Sequence, residues 1–208
     1  MVWCMGRVSD TKAKLMQVVV ELIWIGSYGS TTIDDICEKA QVKRGSFYYF
    51  FESKADLAVA AVDEEWQKHR PELDAIFSPV VPPLERLRRY CEYGYKIQAE
   101  WKEKCGHVLG CALFTLGCEV STQEPQLTKK IQQILDQKKK YLESAIRDAH
   151  AAGLLHAPDA AAKARILFTY YEGQLTEARI QNNLDILLEA IRGTYELLGI
   201  QESLPATK

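Results

Sequence analysis

The chain has 208 residues, 47% of them hydrophobic and 26% charged, a balance that excludes both an extended disordered chain and a membrane-embedded bundle. Its formal net charge of −2 excludes a protein with general affinity for polyanions, so any contact with nucleic acid must come from a local surface. Six cysteines without a secretory leader point to reduced thiols in a cytoplasmic protein rather than to a disulfide framework.

In chain order, Leu15, Val18, Val19, Leu22 and Ile23 share one face of a helix predicted over 10–26, with Ser9 or Asp10 available as its N-cap. Gln17 and Glu21 interrupt the apolar stretch, so it reads as a core helix and no membrane association is expected. Gly26 and Gly29 end it. Two overlapping capping boxes, Thr31 with Asp34 and Thr32 with Asp35, open a short second helix that runs to about Ala40. After Gln41-Val42 a third begins at Lys43, basic at its start and aromatic afterwards, and Ser53 caps a fourth that passes through Leu57, Ala61 and Trp66. Pro71 and the proline-rich stretch 78–83 are expected to lie outside helix interiors, because proline lacks the donor and clashes with the preceding turn. Helices are predicted over 84–104, 125–152, 159–180 and 184–198, with a less regular region at 105–120. No strand alternation competes, and the fold class is all-α.

The second and third helices have the proportions of a helix-turn-helix, in which the N-terminal residues of the second member meet base edges in the major groove. Lys43 and Arg44 stand where that recognition helix begins, Gly45 removes a side chain where backbone and DNA approach, and Ser46, Tyr48 and Tyr49 offer hydroxyls to phosphate oxygens. Phe47 and Phe51, at helical spacing, are expected in the core. The run Thr31-Thr32-Ile33-Asp34-Asp35-Ile36, followed by Ala40, Val42, Gly45-Ser46-Phe47-Tyr48, Phe51, Ser53-Lys54 and Leu57, resembles the DNA-binding region of the TetR family. The resemblance implies phosphate contacts from Thr32, Tyr48 and Lys54, and groove contacts from Lys43, Arg44 and Ser46. Gln41 departs from it, standing where a glycine is usual at the turn, and implies local strain or an altered turn angle.

The organisation expected is a three-helix DNA-binding domain over 1–56, a connecting helix to about residue 70, an effector-binding and dimerisation domain over 57–200, and a loose tail at 201–208. Tyr171-Glu172-Gly173-Gln174 with Ala178-Arg179 resembles the family's penultimate helix. Gly173 and the stripe Leu184, Leu187, Leu188, Ile191 and Tyr195 are candidates for a homodimer interface, the alternative being an intramolecular core. Gly110-Cys111 resembles a segment in a branch of the family that senses electrophiles and small apolar compounds. Cys105, His107, Cys111 and Cys118 are therefore redox or effector candidates, set against the commoner outcome of inert buried thiols, and Trp101, Phe114, Tyr170 and Tyr171 are candidates to line an effector pocket. Their spacing fits no common zinc pattern, so no metal or cofactor is expected. With no phosphate loop, nucleotide fingerprint or catalytic triad motif, the chain reads as a repressor of operator DNA released by an unidentified small-molecule or electrophile/oxidant effector acting on the C-terminal domain, not as an enzyme.

Overall fold

A computed structural model describes residues 4–200, with side chains from Asp10 onward, and among these residues every regular element is helical. The chain forms two compact units, and neither is a continuous stretch. The first holds the residues up to His69 together with Ala112–Ile134; the second holds Arg70–Cys111 and the chain from Leu135. A segment more than forty positions downstream thus packs with the N-terminal helices.

In the first unit, α1 (Cys4–Ile25), α2 (Ile33–Ala40) and α3 (Arg44–Phe50) bury Leu15, Val19, Ile36 and Phe47, the residues with the apolar spacing. The first part of α4 (Lys54–Ile76), α6 (Ala112–Val120) and the start of α7 (Pro125–Ala151) add Leu57, Leu116, Leu127 and Ile131. Burial of each such side chain contributes about 1.5–3 kcal/mol. In the second unit, the rest of α4 and α7 join α5 (Pro83–Cys105), α8 (Ala160–Gln181) and α9 (Ala190–Leu198), burying Leu87, Leu142, Ile146 and Leu167. Arg86 is buried there and ties down the proline-rich stretch, donating to the carbonyls of Val81 at 2.7 Å and Pro79 at 3.2 Å while pairing with Asp148 at 2.6 Å.

Several boundaries correct the expectations. α1 begins at Cys4, so Ser9 and Asp10 lie within the helix instead of capping it. Pro71 is inside α4; it sits on the exposed side, as does Gln67, whose carbonyl its ring frees from the helix ladder, so water can satisfy that acceptor. The expected helix 184–198 opens as a 3₁₀ segment, Leu184–Glu189, before continuing as α9. Cys105 ends α5, and Gly106 leaves it in the left-handed conformation at φ 79°. The expected tail at 201–208 lies outside the described residues.

Candidate nucleic-acid interface

The turn between α2 and α3 starts from a capping box. The Asp35 amide donates to Thr32 Oγ1 at 3.1 Å, and the Thr32 amide donates to Asp35 Oδ2 at 2.8 Å, while Thr31 turns back to the Ser27 carbonyl. Thr32 is thus the cap and Thr31 is not. At the other end Gln41 adopts φ 55°, ψ 43°, its amide on the Glu38 carbonyl and that of Val42 on the Cys37 carbonyl. This closes the helix as a glycine would, but with a Cβ in the left-handed region.

α3 is fixed from below and open above. Phe47 is 0% exposed and Phe51 is 6% exposed, whereas Tyr48 and Tyr49 are 49% and 74% exposed. Lys43 caps the helix through its backbone, and its side chain is exposed beside that of Arg44. Arg44 Nη1 lies 2.9 Å and 3.0 Å from the two oxygens of Asp34, and the guanidinium lies 5.9 Å from the centre of the Tyr48 ring. An exposed pair of this kind is weak, so a phosphate or a guanine can displace Asp34 at little cost. A Cβ built at Gly45 would meet nothing within 4 Å, so the fold itself does not require glycine there. Ser46 is half-buried at the same end of the helix.

Lys54, expected to contact a phosphate, also serves within the fold. Its ammonium, half-buried, donates to the carbonyls of Tyr28 at 2.7 Å and Thr31 at 2.8 Å and lies 4.1 Å from the centre of the Tyr28 ring; burial lowers its pKa. Two of its three donors therefore hold the loop that enters α2. The same loop is clasped by Glu119 of α6 and by Glu124 just before α7: the amides of Tyr28 and Gly29 donate to Glu119 at 2.9 Å and 2.6 Å, and the Tyr28 hydroxyl donates to Glu124 at 2.8 Å. Burial and these carboxylates push the Tyr28 phenol above its usual range. Sequence reasoning missed Glu119 and Glu124, which carry no local motif and act across some ninety residues of chain.

The effector candidates fall in both units. In the second, Cys111 and Tyr171 are buried, Cys105 donates to the Trp101 carbonyl at 3.1 Å, and His107 is exposed. Phe114 and Cys118 belong to the first, with Cys118 exposed on α6. Tyr170 turns to Gly193, where a Cβ would lie 1.8 Å from its hydroxyl oxygen, so it does not share the side of α8 taken by Tyr171, which stands in the same relation to Gly94. The segment before Cys111 is held by residues that sequence reasoning did not select. Gln98 Oε1 accepts from the amides of Leu109 and Gly110 at 3.0 Å and 2.7 Å, Arg179 donates to the Leu109 carbonyl at 2.8 Å, and Asn182 accepts from the Val108 amide at 2.9 Å. Of the interface candidates, Leu187 and Tyr195 are buried within the chain, Leu184 and Ile191 are half-buried, and Gly173 and Leu188 are exposed.

Residues 15–61 match the family described as bacterial regulatory proteins, tetR family, and residues 83–194 match the tetracyclin repressor-like C-terminal domain. A Lactococcus lactis subsp. lactis HTH-type transcriptional regulator, from the lacX 3′ region, is 27% identical over 197 residues, which is 91% of this chain and 95% of the relative. The transcriptional regulator AcuR of Cereibacter sphaeroides is 28% identical over 177 residues, covering 83% of this chain and 78% of its own. Among solved structures, a regulatory protein TetR from Rhodobacter sphaeroides superposes with a TM-score of 0.78 at 26% identity, over 89% of this chain and 97% of that one.

Proposed function

The chain belongs to the TetR family of DNA-binding transcriptional regulators, and from that premise we propose that it is a homodimeric repressor whose α3 helices enter successive major grooves and leave when an effector binds the second unit. The observation that carries this reading is the exposed end of α3, where Lys43, Arg44, Gly45, Ser46, Tyr48 and Tyr49 stand together over a fully buried Phe47. The cations provide the salt-dependent attraction to phosphates, and Arg44 has the fork that reads guanine. Thr32, exposed at the start of α2, adds a phosphate contact, and Lys54 acts by holding the loop that positions α2.

A dimer supplies the second recognition helix, at the spacing of about 34–36 Å that separates adjacent major grooves. On α8, Ile166, Thr169, Gly173, Thr176 and Ile180 are all exposed, at intervals of three and four residues, and form a seam of small side chains with an isoleucine at each end. Leu188, in the segment after α8, is a further exposed apolar side chain. Repression accords with the tetracyclin repressor-like match of the C-terminal half.

Fluorescence anisotropy with DNA flanking the protein's own gene, against scrambled competitor at one salt concentration, tests the reading. Selective binding that weakens by about 1–3 kcal/mol in Arg44→Ala, with the oligomeric state unchanged, is the expected result. Equal affinity of the variant and the native protein would remove Arg44 from the interface.

A further inference from the structure

The two carboxylates at the start of α2 have different fates. Asp35 is taken up by the capping box with Thr32, whereas Asp34, one residue earlier and exposed, turns to the first residue of α3. Arg44 Nη1 lies 2.9 Å and 3.0 Å from its two oxygens, so a single nitrogen serves the whole carboxylate. Of the five N–H donors of a guanidinium, three remain, on Nη2 and Nε. Tyr48, further along α3, is a second support: its ring centre lies 5.9 Å from the guanidinium and its phenol is within hydrogen-bonding reach. An arginine held from both helices of the motif keeps fewer rotamers than a free one and loses less entropy on meeting a partner.

The place of that carboxylate decides what the remaining donors can accept. A phosphate approaching Nη2 brings a second negative charge close to Asp34, and in a groove from which most water is excluded that repulsion is poorly screened. A guanine brings two neutral acceptors, O6 and N7, side by side, the pattern an arginine fork fits; adenine offers an acceptor beside a donor, and thymine an acceptor beside a methyl group. Weak as the pair is, guanine need not displace Asp34, because two of the three remaining donors suffice for it. The carboxylate also weakens attachment to DNA of any other sequence, and specificity is the difference between the two affinities. An exposed acidic side chain beside the cations that meet DNA is otherwise a cost to binding. Resting on the reading of α3 as the recognition helix, we propose that Asp34 is a specificity-determining residue: it positions Arg44 to read a guanine in the major groove and turns it away from phosphate.

Selection of bound duplexes from a random-sequence library by the full-length protein, at one salt concentration, tests this against Asp34→Ala, Asp34→Asn and Arg44→Ala. The native protein is expected to enrich a motif with a fixed guanine at a position where Arg44→Ala shows no preference. Anisotropy titrations then compare the native motif, the same duplex with that G·C pair changed to A·T in each half-site, and scrambled DNA. Asp34→Ala should cut the guanine-over-adenine affinity ratio by roughly fivefold or more and bind scrambled DNA roughly threefold more tightly. Asp34→Asn, which keeps an oxygen to accept from Arg44, should retain more of the ratio than alanine does. A residue that served only the fold of α2 would lower affinity for all three duplexes by one factor and leave the ratio unchanged. That uniform loss, an unchanged ratio in Asp34→Ala, or a guanine preference that survives in Arg44→Ala would each overturn the proposal while leaving sequence-selective binding in place. A native protein that enriches no motif would overturn it together with the reading of α3 as the recognition helix.

Discussion

Gln41 holds a left-handed conformation that a glycine would adopt without a steric penalty. The Cβ penalty in that region is roughly 1–2 kcal/mol, while a glycine adds about 0.4–1 kcal/mol of unfolded-state entropy, so relief of strain wins. Gln41→Gly should therefore stabilise the protein by about 0.5–1 kcal/mol in equilibrium urea unfolding; a destabilised variant would mean that the Gln41 side chain contributes more than its backbone costs. The strain sits between the two helices that set the recognition angle, so a local substitution there adjusts the turn without touching a DNA-facing group. The same logic separates Gly45, whose position leaves room for a side chain, from Gly94, where an added Cβ would lie 1.7 Å from the Tyr171 hydroxyl oxygen.

Among the helices, α5 shows how an element is secured at its start. Pro83 supplies the fixed φ of the first turn, and Glu85 places a carboxylate near the positive end of the helix. Arg88 binds that carboxylate at 2.6 Å and 2.7 Å and Arg89 at 2.7 Å, which holds the Glu85 pKa at about 2, below its ordinary value of 4.5. A depressed carboxylate pKa stabilises the fold fully above pH 4.5, and that contribution fades as the pH falls towards 2. Glu85→Gln should lower stability at pH 7 by about 1 kcal/mol, allowing for solvent screening, and flatten the decline measured by urea unfolding between pH 6 and pH 3. An unaltered decline would assign the acid sensitivity to other groups. Helix limits of this kind were legible wherever the stop is local: Thr32 with Asp35, Pro83 and Asp159 all lie at starts marked by their own chemistry. They were not legible at Pro71 or across 184–189, where solvent exposure and packing decide the geometry. The exposed end of α3 could be read because basic and aromatic residues alternate with core positions at helical spacing. Gln98 could not, since a polar residue in an amphipathic pattern looks like a solvated face until its neighbours are known.

At the scale of the molecule, the seam on α8 predicts the mode of assembly. Replacing both Ile166 and Ile180 with glutamate puts like charges at the two ends of an antiparallel or parallel α8 pairing. Sedimentation velocity should then show a monomer with an unchanged helical circular-dichroism spectrum; a persistent dimer would locate the interface on another face. The division into two discontinuous units has a consequence for synthesis. The N-terminal helices emerge first, yet Glu119 and Glu124, which clasp the Tyr28 loop, and the apolar residues of α6 are made only after the whole of α5. At roughly 5–20 residues per second, the nascent DNA-binding head waits on the order of seconds for its last supporting helix. During that interval it is an incomplete fold with exposed apolar surface, and its capacity to hold an operator is acquired late in translation, not when its own recognition helix leaves the ribosome.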